Sequence, residues 1–599
     1  MLSMVGARMA DAMTAASTVA QVRAAGVGRD TALAVAPVTS GDSPGIALAW
    51  VGGQAWLAAG GGSPGELLGD LADLDPRWVW WSAREVVPVF LDAGLRPRAC
   101  WDLGAVGRML HGLRRDDPGA VWAAAHGLAE PARAPATPGL FDLDDPASAA
   151  EPVQADGALS REWAAGGWAT EPERAVRWAR TAVTLQRRQD AALRQLDDPR
   201  PVTPGQPLPL LTARSESAAA MLAVELGRDG LPIDRAGAAE MLTGLIGRRP
   251  VDAADEAKLR AERDRRVLDA FAGQPVDLRS PAQVRELLTR VGFDLPDTRS
   301  WRLEPHAATM APVAELLAWR KAERLATTYG WGWLDRQVGS DGRLRGAWGA
   351  ADAAAGRMTA GAGLHNLPAE LRPVVRAEPG HVLVRADLGQ IEPRVLAVVS
   401  RDAGLARATA DDDMYAPVAA ALGCDRPTAK VAVLAAMYGQ TSGTAGAALR
   451  DMDRAYPEAM AYLRAAEHAG LVGTDLRTHG GRLLRMRAPA DVGGEPTGEP
   501  VSRSGHGRYA RNAVVQGAAA EFFKAWAVTV RTGLAGLGDA QIVLCLHDEL
   551  LLQVRADVVP RARDLLERSL AATGTWWAAG SGVRFVAEIT AGASWADTH

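Results

Sequence analysis

"QIVLCLHDELLLQV", residues 541–554, sets His547, Asp548 and Glu549 between two aliphatic runs, each the length of a short buried strand. Adjacent carboxylates where burial is so strongly signalled would be costly alone, so they must meet water or a cation. A tight hairpin whose polar tip reaches solvent meets the first condition. A hairpin that presents a carboxylate to a metal ion meets the second, and choosing between them needs another carboxylate elsewhere.

That carboxylate is found in "HVLVRADLGQIEPRVLAVVS", residues 381–400. Alternation predicts a strand ending at Asp387. The spacing of Ile391, Val395 and Val398 then predicts a helix, with Pro393 tolerated in its first turn. Asp387 sits at the junction, where helix capping alone would also account for it. A third stretch, "CDRPTAKVAVLAAMYGQTSG" (424–443), predicts a helix capped by Asp425 with Pro427 in the first turn. Arg426 and Lys430 lie one turn apart on a face continued by Leu434, Met437 and Tyr438. Cations near a helix start oppose the macrodipole unless an anion arrives, which points to phosphate. Two carboxylates beside such a helix fit a chemistry in which two divalent ions, roughly 4 Å apart, activate a hydroxyl and stabilise leaving pyrophosphate.

The totals neither contradict nor demand this. At 599 residues the chain is too long for a single core. A formal charge of −5 leaves room for a basic cleft. Of 66 basic residues only four are lysine (Lys258, Lys321, Lys430, Lys524), so arginine clusters are weak evidence and a placed lysine says more. Cys100, Cys424 and Cys545 are too scattered for a metal site or a disulfide framework, which fits a reducing cytoplasm. No apolar span has membrane length, and the start lacks a secretory core segment.

Up to about residue 125, short apolar runs such as "GIALAWV" and "WVWW" alternate with helix-like stretches, suggesting an α/β unit. The Pro-, Ala- and Asp-rich stretch at 131–158 reads as a linker or surface loop, followed by a long helix over about 171–196. "DDPRPVTPGQPLP" then places a domain boundary near residue 200. Amphipathic helices dominate to about 340, mixed signals follow, and a Gly- and Pro-rich loop at 491–508 precedes a helix expected from near Tyr509.

From about residue 205 onward the chain resembles a family A DNA polymerase of the bacterial polymerase I type. "DLGQIEPRVLAVVS", "RPTAKVAVLAAMYG" and "HDE" match that family's motifs A, B and C in order. "AGRMTAGAGLHNLP" (355–368) and "RYARNAVVQGAAAEFFK" (508–524) are similar to two further signatures. The resemblance implies a thumb over about 205–340, a palm over 341–400 and 510–599, and fingers over 401–509. It implies metal ligation by Asp387, Asp548 and the Leu388 carbonyl, holding two Mg2+ ions, with Mn2+ as the alternative. Arg426 and Lys430 would bind the incoming triphosphate, with Leu434, Gln390 and Tyr415 beside the nucleotide. Tyr438 would lie under the new base pair, and Glu392 would crowd the sugar 2′ position against ribonucleotides. Arg357, Asn366, Arg508, Asn512, Gln516 and His547 would touch primer or template, and Glu549 would support the site. The sequence departs from the family at Leu388-Gly389, where Tyr-Ser is usual, at Leu434 in place of an aromatic, and at Tyr415 in place of a histidine.

The front of the chain resembles the 3′–5′ exonuclease domain, RNase H-like in fold, that often precedes this polymerase. The fold class expected is therefore α/β and α+β multidomain: an exonuclease-type domain over 1–200, then a right-hand polymerase domain over 201–599. Such an exonuclease needs clustered carboxylates for two metals. "DTALAVAPVTSGDSPGIALAWVGG" (30–53) has no acidic pair two residues apart. "RACWDLGAVGRML" keeps Asp102, whereas "RWARTAVTLQRRQ" has Trp178 for the expected tyrosine and Ala182 for the aspartate. A domain without proofreading activity is expected.

The expected function is template-directed DNA synthesis from dNTPs on primer–template DNA by a monomeric, cytoplasmic, nucleoid-associated bacterial protein. A single-subunit RNA polymerase and a catalytically weakened primer–template-binding accessory protein are the rivals.

Overall fold

The computed structural model describes residues 15–60, 62–132, 151–273, 275–352, 355–439, 444–486, 503–546 and 548–599. Most of the linker expected at 131–158 and of the loop expected at 491–508 lies outside them, as does His547. The chain forms two compact units: Met1–Arg228 with Trp348–Thr359 and Val384–Ala591, and Asp229–Ala347 with Ala360–Leu383 and Gly592–His599.

The first unit opens with β1 (Ala32–Val38), β2 (Gly45–Trp50), β3 (Gly53–Ala58), β4 (Arg77–Trp80), α1 (Ala83–Asp92), β5 (Ala99–Asp102), α2 (Leu103–His111) and α3 (Pro172–Arg194). The strands form one sheet in the order β3-β2-β1-β4-β5. The first three pair antiparallel; β4 and β5 run parallel to β1 and to each other. Alternate residues feed two cores, so both faces are covered. Ala34, Ala36, Ala47, Val79 and Trp101 pack with Trp178 and Ala182 of α3. Leu33, Val35, Ile46, Leu48 and Trp80 pack with Val86 and Phe90 of α1.

Further along the unit come α4 (Leu208–Asp229), β6 (His381–Leu388), α5 (Ile391–Ser400), α6 (Tyr415–Leu422), α7 (Arg426–Tyr438), α8 (Pro457–Val472), α9 (Arg503–Leu534), β7 (Ala540–Leu546), β8 (Glu549–Arg555), α10 (Val559–Trp577) and β9 (Ala587–Gly592). A second sheet has the order β7-β8-β6-β9. The opening stretch of sequence is indeed a hairpin, with Leu546 opposite Glu549 and Cys545 opposite Leu550. Helix α9 begins at Arg503, one and a half turns before the expected Tyr509. Arginines join the N-terminal sheet to this part: Arg531 of α9 reaches Glu225 (2.5 Å) and the Pro97 carbonyl (2.9 Å), and Arg108 reaches the Ala351 carbonyl (2.8 Å). These long-range ties explain why the two sheets share one compact unit.

The second unit is mainly helical. Helices Ala253–Ala270, Pro281–Arg290, Ser300–Ala307 and Ala311–Tyr329 enclose Val267, Leu287, Leu303, Leu316 and Trp319. Its polar node is Glu323, which accepts from Arg260 (2.9 Å) and Arg279 (2.8 Å).

One buried group of the first unit makes its stability depend on pH. His479 is buried against Trp577, with ring centroids 4.7 Å apart and Nε2 3.4 Å from the Trp577 carbonyl oxygen. Burial pushes its pKa down to about 4. Between the ordinary value near 6.5 and that folded value, the unfolded chain binds the extra proton, so stability present above pH ~6.5 is lost as pH falls toward ~4. The full effect is about 3 kcal/mol. The thermal midpoint should therefore drop between pH 7 and 4.5, and His479→Gln should flatten that drop; equal slopes would contradict the assignment.

Candidate active site

Strand β6 delivers the first carboxylate. Arg385 and Asp387 are two apart and share a face, and the following Leu388 N–H donates to the Asp548 carbonyl (3.0 Å) in the β7–β8 turn. That bond brings the two distant aspartates to one end of one sheet. Both are half-buried. Burial is the main cause that raises the Asp387 pKa, with Glu549 and Glu588 adding to it and Arg385 opposing. Asp548 is pushed up to about 6, first by burial and then by Asp387. Each charge thus makes the other harder to hold, and a cation there would relieve both. Glu549 is 9% exposed, so it belongs to the sheet interior and not to a solvated tip. Its partner is Arg385, whose Nε lies 3.1 Å from Glu549 Oε2 and whose Nη2 bonds Asp387.

Helix α5 starts abruptly because Gln390 adopts a left-handed conformation (φ 54°). From there its side chain reaches across, donating to Asp413 Oδ1 (3.1 Å) and accepting from the Met414 N–H (2.9 Å). Two residues on, Glu392 accepts from Arg357 (2.5 Å) and from the Tyr438 hydroxyl (3.3 Å). Tyr438 also bonds Gln516 of α9. The Arg357 segment is pinned from below, where buried Lys524 donates to the Gly356 carbonyl (2.8 Å) and pairs with Glu216 (2.5 Å).

Helix α7 is built as its sequence predicts: Asp425 accepts from the Thr428 N–H (2.9 Å), and Gly439 ends it in a left-handed turn. Arg426 is exposed and bonds Asp413 (Nε–Oδ2 2.5 Å), with its guanidinium 5.7 Å from the Tyr415 ring centre. Tyr415 is buried, which pushes its phenol up to about 12. Lys430 is exposed and pairs with no described residue. Leu434 is half-buried and Tyr438 36% exposed, but Met437 is fully buried. The stripe read from sequence therefore loses Met437 to the core. On α9, Arg508, Asn512 and Gln516 recur every fourth residue; Arg508 is exposed, and Asn512 keeps a buried Oδ1 without a described partner. Asn366 is exposed in a 3-10 turn of the second unit.

Three residues escaped the sequence reading. Arg385 was legible as a charge two residues before Asp387 in an otherwise apolar strand. Asp413, last of the run "DDD", holds both Gln390 and Arg426. Arg394 is fully buried and donates to the carbonyls of Gly389, Thr409, Asp411, Asp412 and Arg584, at 2.6–2.9 Å. Its signal was an arginine one turn from Ile391 on the buried face. It fixes the loop that carries Asp413.

Two sheets packed with helices, and a second, mainly helical unit, place the molecule in the multidomain α/β and α+β class. Residues 252–597 match the model of DNA polymerase family A, more than half of the chain, and the chain belongs to that family. It is 28% identical over 369 residues to DNA polymerase I of Pseudomonas aeruginosa, covering 55% of this chain and 39% of that one. It is 28% identical over 337 residues to DNA polymerase I of Chloroflexus aurantiacus, covering 49% and 35%. The chain thus spans well under half the length of these relatives. In fold it resembles the POL domain of Pol1 from M. smegmatis, solved in complex with DNA primer-template and dNTP, with a TM-score of 0.65 at 19% identity over 98% of this chain and 99% of that one. No helix among the described residues is long and apolar enough to cross a membrane.

Proposed function

We propose that the chain is a template-directed DNA polymerase, in which a primer 3′ hydroxyl attacks the α-phosphorus of a dNTP and pyrophosphate leaves. The observation that carries this reading is the Leu388–Asp548 backbone bond, which brings Asp387 and Asp548 to one end of the sheet, where the charge of Asp387 raises the pKa of Asp548. They suit divalent cations, because among the described residues Arg385 is the cation that offsets the charge of Asp387. Mg2+ held by Asp387, Asp548 and the Leu388 carbonyl would supply hydroxyl activation and charge stabilisation. Among the described residues no group of three or more His, Cys, Asp or Glu is arranged to hold a metal ion, so water and phosphate oxygens would complete the shell.

The chain's own residues do the rest. Lys430, exposed and without a partner among the described residues, would bind the triphosphate. Arg426 would exchange Asp413 for phosphate. Glu392, held from two sides by Arg357 and Tyr438, makes a fixed wall suited to excluding a 2′ hydroxyl, and that favours DNA over RNA synthesis. Arg508, Asn512 and Gln516 would contact the duplex.

The N-terminal sheet supports an RNase H-like domain without proofreading. Asp102 caps α2 through the Ala105 N–H (2.7 Å) and also accepts from the Ala83 N–H (2.6 Å) and Trp80 Nε1 (3.2 Å). Its carboxylate is engaged by the fold. Ala182 is 2% exposed, and Trp178 stacks on Trp81 with ring centroids 4.4 Å apart.

Primer extension with magnesium tests the proposal. Extension with dNTPs is expected; preference for ribonucleotides would favour the RNA polymerase, and duplex binding without extension the accessory protein. The Asp548→Ala chain should leave a 3′ end unshortened in magnesium, whereas shortening would mean an active exonuclease.

A further inference from the structure

Two buried arginines near the site are held in opposite ways. Arg394 is satisfied by five backbone carbonyls, neutral acceptors that belong to the scaffold. Arg385 is 7% exposed, and its guanidinium has only carboxylates as described partners: Asp387 on its own strand and Glu549 on the neighbouring β8. With Glu549 and Glu588 adding their fields at Asp387, one guanidinium faces a concentration of negative charge that a divalent ion would also seek. A double positive charge beside a buried guanidinium is strongly repelled, because partial burial weakens screening.

We infer that Arg385 is the resident counter-ion of the carboxylate site, and that a divalent cation must displace its guanidinium from Asp387 before it can bind. This rests on the reading that Asp387 and Asp548 hold the metal. Without metal, Arg385 keeps the carboxylates apart from one another and the sheet end intact. When an ion arrives, Glu549 is left as the acceptor that retains the guanidinium, which gives that buried glutamate a function beyond packing. Metal affinity is therefore set by a competition inside the protein, and Arg385 makes it weaker than the carboxylates alone would give.

The test is Mn2+ binding to the full chain, followed by electron paramagnetic resonance of the free ion, beside the thermal midpoint with and without Mn2+. Arg385→Met keeps the alkyl bulk and removes the charge; Arg385→Gln is a second neutral variant should the first fold poorly; Arg385→Lys keeps the charge. The neutral variants should bind Mn2+ about tenfold more tightly or better, and the lysine variant should stay within about threefold of the parent. Metal-free, the neutral variants should melt below the parent, with the gap closing as Mn2+ saturates. Neutral variants that bind no more tightly than the parent overturn the inference. Asp387→Asn separates the two readings. If it binds Mn2+ as the parent does, the metal site itself is wrong and the inference falls with it. If it abolishes binding while neutral variants leave affinity unchanged, only the competition is refuted.

Discussion

Asp548→Ala should lose primer extension by at least about a thousandfold while still binding primer–template, because it removes a proposed metal ligand on which the chemical step would depend. Folding should survive. Asp548 is raised by burial and by Asp387, so deleting its charge relieves repulsion, and the metal-free thermal midpoint should hold or rise. Asp387→Ala should abolish extension equally but cost stability, since Arg385 then keeps only Glu549. The contrast between the two midpoints checks the charge arrangement independently of activity. Extension by the Asp548→Ala chain within tenfold of the parent would end the proposed function.

The second large effect is expected at Lys430. Its substitution by alanine should lower kcat/KM for dNTP by about 100- to 1000-fold, or roughly 3–4 kcal/mol of transition-state stabilisation. Stability should change by no more than ~0.5 kcal/mol, since the side chain is exposed and breaks no contact. Arg426→Ala should differ in kind. It also frees Asp413, whose carboxylate Arg426 holds below the usual range, so an existing negative charge is left uncompensated near the proposed triphosphate path and nucleotide binding should suffer more than turnover. Steady-state kinetics across dNTP concentration distinguish the two.

Most of the fold could be read in the sequence because its signals are local. The hairpin at 541–554, the strand ending at the site, and helix α7 with its Asp425 cap and Pro427 all follow from periodicity and capping over a dozen residues. Burial of Glu549 could not, because it depends on β8 lying beside β6, a pairing between residues more than 150 positions apart. The same distance hid Arg394, whose acceptors come from 389, 409–412 and 584. Asp413 carried no signal of its own, since its partners Gln390 and Arg426 lie at the starts of two different helices. Met437 was misplaced for a different reason: a helical face continues in sequence whether or not a neighbouring element covers its end.

The indoles of Trp81, Trp163, Trp168 and Trp178 have a consequence for any attempt to engineer proofreading into this chain. Adding acidic residues one at a time would not create a nuclease. A carboxylate at position 182 would enter a site 2% exposed and lined by aromatic rings, where an unpaired charge is expelled. Making room first would cost about 3–5 kcal/mol for each tryptophan removed. Installing cleavage would need several simultaneous changes, each harmful alone, so single steps do not lead this part of the molecule to it.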